Sequence, residues 1–208
     1  MDTREAYNKW SQQYDTNVNR TRDLEAAALR TVLAGISFNS CLEIGCGTGK
    51  NTEWFVTKAQ RITAIDLSEA MLAKAKEKLG MVGVEFLQAD ITLDWGFARE
   101  PYELVSFSLV LEHIEDLDPI FRATAKALVP GGHVYIGELH PFKQYSGSKA
   151  RFDTEEGQQI VTCFNHHISD FLEPAKRYGL EIESLHEYFD EGNRAAIPRI
   201  LTLLLKKV

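Results

Sequence analysis

No apolar run in the 208-residue chain approaches the roughly 18 residues that a membrane-spanning helix needs, so such a helix is excluded and no membrane partner is expected. The opening, MDTREAYNKW, is polar and lacks the apolar stretch of a secretory signal, which makes a cytoplasmic location the expectation. Cysteine is scarce. Cys41, Cys46 and Cys163 are an odd set without paired spacing, so they form no disulfide framework and point to a reducing compartment. Cys163-x-x-His166 supplies too few ligands for zinc, and no metal is expected. Basic residues are outnumbered, 23 Lys and Arg against 30 Asp and Glu, for a net charge of −7. A chain of that sign repels phosphate backbones at long range, and nucleic acid is not an expected partner. Repeats, low-complexity tracts and linkers are missing too, and the length suits one domain.

What is present is an ordinary globular balance, 44% hydrophobic and 25% charged, enough for one good core. Two helices open the chain. Arg4 to Tyr14 carries Tyr7, Trp10 and Tyr14 at helical spacing, and Asp23 to Ala34 is rich in Ala and Leu, with Gly35 as its stop. Strands then alternate with helices. Strands are predicted at 41–44, 61–65, 84–87, 104–109 and 133–136. Helices are predicted at 51–59, from a Ser68 cap to Leu79, and from Asp118-Pro119, with Asp118 as cap, to the residues before Pro130. This alternation means right-handed crossovers and a parallel sheet. The ending differs. A helix at 169–178, in which Pro174 should disturb the first turns, precedes strands at 181–188 and 199–206 that follow closely enough to pair antiparallel at one sheet edge.

The sharpest local signal is Glu43-Ile44-Gly45-Cys46-Gly47-Thr48-Gly49, glycines directly after a strand. Such a turn brings backbone N–H groups close to a ligand. A dinucleotide fingerprint needs glycine where Lys50 stands. A phosphate-binding P-loop needs Ser or Thr after Lys50, where Asn51 stands. Both of those phosphate sites therefore fail in detail, and Lys50 counts against the rival reading of a nicotinamide oxidoreductase. Asp66 ends the second strand and faces the loop across the crevice of an open α/β sheet, placed to accept from both hydroxyls of a ribose; the competing assignment is a helix cap. Asp90 ends the third strand, with Ile91 after it. There a carboxylate and the next N–H suit an adenine edge; the competing assignment is a turn aspartate.

At these residues the chain resembles the class I S-adenosylmethionine-dependent methyltransferases, especially the group similar to the ubiquinone and menaquinone biosynthesis enzymes. LEIGCGTGK (42–50), ITAIDLSEAML (62–72), FLQADI (86–91), YELVSFSLVLEHIED (102–116) and LVPGGHVYIGELHP (128–141) look like five family motifs in family order. The resemblance implies an α/β, Rossmann-like, doubly wound seven-stranded sheet with an antiparallel last strand and N-terminal helices. It divides a single domain into a helical cap (1–35), a cofactor-binding core (36–140), an acceptor-pocket lid (141–168) and a closing helix with a strand pair (169–208). It implies S-adenosylmethionine as cofactor and S-adenosylhomocysteine as product. The cofactor residues it implies are Tyr14, Glu43, Gly45, Cys46, Gly47, Thr48, Gly49, Asp66, Leu67, Met71, Asp90, Ile91, Ser108, Leu109 and His113. Tyr7, Trp10 and Tyr14 match an aromatic opening that closes over the cofactor. Glu103 stands where the family usually has Asp, a mild change, and Ser108 where many members have Asn, which implies altered contacts to the methionine portion.

Methyl transfer is an in-line displacement, and a base near the acceptor assists it. The candidates, in order, are His140, His167 and His166, with His113 behind them. His140 lies at the carboxyl end of the fifth strand, where ligands gather in open sheets. The stretch from Pro141 to Asn165 mixes Phe142, Tyr145, Phe152 and Phe164 with Lys143, Lys149 and Arg151, which suits a flat or anionic small molecule or, alternatively, an ordinary surface hairpin. Tyr7, Trp10, His140, Tyr145 and Arg151 are the expected acceptor contacts, Arg151 because its fork matches a carboxylate. The expected function is methylation of O, N or C on a small molecule by a monomer or homodimer. The alternatives are a cofactor-binding regulator without turnover and a methyltransferase acting on a macromolecule.

Overall fold

The computed structural model describes residues 2–80, 83–154 and 157–208. Helices α1 (Thr3–Trp10) and α2 (Arg20–Val32) lead into β1 (Ser40–Ile44), α3 (Thr52–Phe55), β2 (Arg61–Asp66), α4 (Glu69–Leu79), β3 (Val84–Gln88) and β4 (Tyr102–Ser108). Then come α5 (Asp118–Ala127), β5 (Leu128–Leu139), α6 (Pro141–Tyr145), β6 (Arg151–Thr154), β7 (Gly157–Ile160), α7 (Ile168–Arg177), β8 (Leu180–Tyr188) and β9 (Ile200–Lys207). Seven strands form one sheet in the order β3-β2-β1-β4-β5-β9-β8, and β6 and β7 form a separate antiparallel hairpin. The first five strands run parallel, and β9 runs antiparallel to both its neighbours, β5 and β8. This is the mixed sheet expected, with the last strand reversed. Strand order turns back on either side of β1, which opens a crevice at the carboxyl ends of β1 and β4.

Alternation along the strands builds an apolar layer on each face of the sheet. Leu42, Val105 and Leu203 enter one cluster, and their chain neighbours Cys41, Leu104 and Leu204 enter the other. Each fully buried side chain of this size stabilises by about 1.5–3 kcal/mol. A third cluster joins α1, α4 and the hairpin region through Ala6, Trp10, Met71, Phe152 and Val161. In it, the Trp10 and Phe152 rings stack at 5.1 Å.

Several boundaries differ from expectation for local reasons. The first helix ends at Trp10, where the Ser11 hydroxyl turns back to the Asn8 carbonyl, so Tyr14 folds back edge-on to Trp10 at 5.0 Å instead of continuing along the helix. The helix expected over 51–59 is regular only at Thr52–Phe55 and continues as turns. Asp118 is the first helical residue of α5 and not its cap. Its carboxylate serves instead to accept from Tyr178 Oη at 2.5 Å and to pair with Arg177. Helix α7 runs through Pro174 without a break. Ser68 does cap α4, accepting from Met71 N–H at 3.1 Å, and Gly80 ends it at φ +69°.

The interior also holds carboxyls that the hydrophobic pattern conceals. Glu43 lies mid-sheet on β1 and accepts from Thr52 Oγ1 at 2.5 Å. Burial pushes its carboxyl up to about 8 from 4.5. The folded state therefore keeps a proton that the unfolded chain releases. The associated stability is present below the unfolded value and is lost as pH rises through the folded one. Replacing Glu43 with Gln removes that titration. The Tm of the variant relative to the parent should climb between about pH 5 and about pH 8, and a flat difference in a calorimetric pH series contradicts this. For the hairpin, Phe152→Ala removes the stack on Trp10, and limited proteolysis should cut within 141–165 faster than in the parent while the sheet stays resistant.

Candidate active site

The glycine turn is shaped by contacts within the protein. Gly45, at φ +72°, leaves no room for a side chain, because a Cβ there falls 2.2 Å from Val110 Cγ2. The N–H groups of Gly45 and Cys46 both donate to the Ile65 carbonyl at 2.8 and 2.9 Å, and Gly47 N–H donates to Asp66 Oδ2 at 2.8 Å. Those three donors are thus engaged inside the fold, which corrects the expectation that they point at a ligand. What the turn presents to the crevice is bare backbone at Gly45 and Gly47. The other oxygen of Asp66 accepts from Ser68 N–H at 2.8 Å. Burial raises the Asp66 carboxyl above its usual range, and these two N–H donors offset only part of that rise.

Above the turn is a chamber of about 250 Å³. Of the expected cofactor residues, Tyr14, Gly45, Gly47, Asp66, Leu67, Asp90, Ile91, Ser108, Leu109 and His113 line it. Asp90 also makes the turn contact weighed against it, accepting from Thr92 N–H and Oγ1 at 2.9 and 2.6 Å. Glu43, Cys46, Thr48, Gly49 and Met71 do not line the chamber. Glu43 faces Thr52, Thr48 donates to Asp15 Oδ1 at 2.6 Å, and Gly49 packs on Ala75 and Leu79. Cys46 joins the core on one sheet face, and Met71 lies in the cluster under α1. With Asp66 and Asp90 as acceptors between the apolar walls of Ile65, Ile91 and Leu109, the chamber suits a ligand that is part hydroxyl and part flat ring.

Leu109 has φ +58°, an uncommon conformation for a residue with a side chain. Its N–H donates to the Gly137 carbonyl at 2.8 Å, and the N–H groups of Val110 and Leu111 both donate to Glu138 Oε1 at 2.9 Å. Burial pushes the Glu138 carboxyl up to about 8. Behind Ser108 lies a second buried carboxyl, Glu25, which accepts from Asn51 Nδ2 and Tyr135 Oη at 3.1 Å each; Asn51 Nδ2 also reaches Ser108 Oγ at 3.2 Å. Burial raises Glu25 to about 7. Glu25, Asn51 and Glu138 were not singled out from the sequence. The readable signal was an acid or amide inside an otherwise apolar element, as in EAAAL and VYIGEL.

A second chamber of about 230 Å³ shares Tyr7, Tyr14 and Leu109 with the first. Trp10 and Arg151, two of the expected acceptor contacts, line it together with Arg22 and Glu112, which the sequence reading passed over. Burial holds the Tyr7 hydroxyl well above its ordinary range. His113 Nδ1 donates to the Thr162 carbonyl at 2.8 Å, which leaves Nε2 of the neutral ring to accept from Tyr7 Oη at 2.8 Å. Glu112, His113 and Cys163 bring ligand-type atoms within 4.8 Å of one another, though both ring nitrogens of His113 already have hydrogen-bond partners.

The three histidines proposed as bases line neither chamber, which corrects that assignment. His140 is fully buried, accepts from Phe142 N–H on Nδ1 at 3.1 Å and pairs Nε2 with Glu187 at 2.9 Å. Burial lowers its proton affinity, outweighing Glu187. His166 spends Nε2 on the carbonyls of Leu111 and Ile114 at 3.1 and 2.8 Å. His167 caps α7 and bonds Tyr145 Oη at 2.6 Å, and Tyr145, half exposed, also stays outside the chambers.

A family described as a methyltransferase domain matches residues 42–136. A ubiquinone biosynthesis O-methyltransferase of Marinobacter nauticus is 33% identical over 167 residues, spanning 75% of this chain and 68% of that protein. An uncharacterized methyltransferase of Emericella nidulans is 26% identical over 89% of this chain and 78% of its own length. The fold is also that of solved structures. DhpI in complex with S-adenosylhomocysteine superposes with a TM-score of 0.75 at 22% identity over 99% of this chain and 95% of its own. The N-methyltransferase NodS of Bradyrhizobium japonicum with S-adenosylhomocysteine gives 0.73 at 18% identity over 100% and 99%. With its motifs in order on this sheet and a relative 33% identical over 167 residues, the chain belongs to the class I S-adenosylmethionine-dependent methyltransferase family.

Proposed function

We propose that the chain moves the methyl group of S-adenosylmethionine onto O, N or C of a small molecule and releases S-adenosylhomocysteine. The observation that carries the reading is the placement of Asp66 beside bare glycine backbone in a chamber that shares three walls with a second one. The residues fit the cofactor. Each Asp66 oxygen accepts one backbone N–H and keeps a second lone pair for a ribose hydroxyl. Asp90 and Ile91 would hold the adenine, and Gly45, Gly47 and Ser108 would back the amino-acid portion. Leu67, Leu109 and His113 would complete the wall. Bound there, the cofactor supplies an activated methyl on a sulfonium.

The chain's own contribution is position and exclusion of water. Tyr7, Trp10 and Tyr14 form one aromatic group with centroids 5.0 to 6.3 Å apart, and Phe152 of the hairpin closes on it. Fixing two reactants in such a lined space lowers the barrier without any new bond to the protein. The small-molecule acceptor is supported by the O-methyltransferase relatives and by the net charge of −7, which disfavours nucleic acid. Among the described residues no helix is long and apolar enough to cross a membrane. A cytoplasmic monomer or homodimer fits this reading.

Asp66 is the sharpest handle. Asp66→Ala should weaken S-adenosylhomocysteine binding by about 10- to 100-fold in calorimetry, from loss of hydrogen bonds to a charged group, with Asp66→Asn between it and the parent. Unchanged affinity in a folded Asp66→Ala protein sinks the proposal.

A further inference from the structure

Among the described residues, six buried side-chain polar atoms have no hydrogen-bond partner, and three of them belong to residues of the second chamber: Trp10 Nε1, Arg22 Nε and Glu112 Oε2. Unpaired buried groups are costly, and a set of them around one cavity marks where a ligand completes the bonding. Two of the three are donors and need an oxygen acceptor. Arg22 is held for that task. It donates Nη1 to the Tyr14 carbonyl at 2.5 Å and Nη2 to the Asn17 carbonyl at 3.0 Å, and its guanidinium lies 3.9 Å from the Tyr14 ring centroid. Those contacts fix its orientation and leave its charge unneutralised. Arg199 on the same wall is spent by contrast, since Asp190 takes its Nε and Nη2 at 2.5 and 2.6 Å. Lys149 and Arg151 add positive charge at the exposed rim, in a chain whose net charge is −7. The third atom has the opposite need. Glu112 is buried, and its free oxygen seeks a hydrogen donor.

We infer that the second chamber receives a small acceptor with a carboxylate or similar oxyanion at one end and a nucleophilic O–H or N–H at the other. The oxyanion sits on Arg22 and Trp10 Nε1, and the nucleophile donates its hydrogen to Glu112. This rests on the methyltransferase reading above and names its substrate class. In the transfer, the acceptor oxygen or nitrogen forms the new bond to carbon. The carbon–sulfur bond breaks with its electron pair on sulfur, and the acceptor's proton passes to the Glu112 carboxylate. Tyr7, Tyr14 and Leu109, which border both chambers, are the walls between donor and acceptor.

Benzoate and benzamide share a shape and differ in charge, which makes them the probes, titrated into the full chain saturated with S-adenosylhomocysteine. Benzoate should bind about tenfold or more tightly than benzamide, as expected for charge-assisted hydrogen bonds. Trp10→Phe, which keeps an aromatic ring against Phe152 but loses the N–H, should weaken benzoate about fivefold, and Arg22→Gln more. Of the three hydroxybenzoates, at least one should gain about fivefold over benzoate, a gain that vanishes in Glu112→Gln. Equal affinity for benzoate and benzamide, or no benzoate binding, overturns the oxyanion seat; no gain in any isomer overturns the role of Glu112. S-adenosylhomocysteine affinity measured on the same samples keeps the two readings apart. If the parent protein does not bind it, the methyltransferase reading falls, and if each variant retains it, any loss of benzoate belongs to the second chamber.

Discussion

Asp66 accepts one backbone N–H on each carboxylate oxygen, from Gly47 in the turn after β1 and from Ser68 at the start of α4. That pair of bonds clamps the glycine turn to the end of the neighbouring strand. With Gly45 and Cys46 sharing the Ile65 carbonyl, the turn is held by β2 on three consecutive N–H groups. Rigidity here has a chemical use. In the proposed reading, a carboxylate already oriented by two donors would meet a ribose without reorganising, and a turn with no side chain at its two exposed glycines would let a ligand approach the backbone itself.

Much of the remaining construction supports the turn after β4. The left-handed Leu109 directs the chain back across the crevice, and Glu138 holds the next two N–H groups on a single oxygen. Asn51 Nδ2, which also donates to Glu25, reaches the hydroxyl of Ser108, just before Leu109. Burying carboxyls in this way costs stability as they ionise, which explains why burial raises the proton affinity of Glu25, Glu43 and Glu138 together. The fold accepts that cost close to the crevice, where unusual backbone must be fixed in place, while both sheet faces pack with ordinary aliphatic side chains.

The aromatic opening couples the N-terminus to the hairpin. Trp10 lies between Tyr14 and Phe152, Tyr7 reaches His113, and Gln13 Nε2 donates to the Asp153 carbonyl at 2.6 Å. Two segments distant in sequence thus wall the second chamber together. The stretch expected to be either a pocket lid or a surface hairpin holds a short helix and a hairpin; its Lys149, Ala150 and Arg151 line the second chamber, and its buried Phe152 stacks on Trp10.

Alternating strands and helices, the glycine turn, Asp66 and the reversed last strand were legible in the sequence because each follows from a local rule: periodicity, turn chemistry or strand spacing. So were the chamber positions of Asp90 and Ile91, at a strand end, while those of Leu109, Tyr7 and Trp10 came from the family resemblance. What sequence could not decide was the partner of each polar side chain. His140 stands at the right end of β5, yet Glu187 on β8 and the N–H of Phe142 take both its nitrogens. Glu43 sits in the most telling motif and turns to Thr52 instead. Arg22 carries no motif, Glu112 has no marked role within its motif, and both become walls of the second chamber only when α2, the turn after β4 and the hairpin region meet. Local backbone preference is written residue by residue. The pairing of buried polar groups depends on which distant elements pack together, and that was decided by the tertiary structure alone.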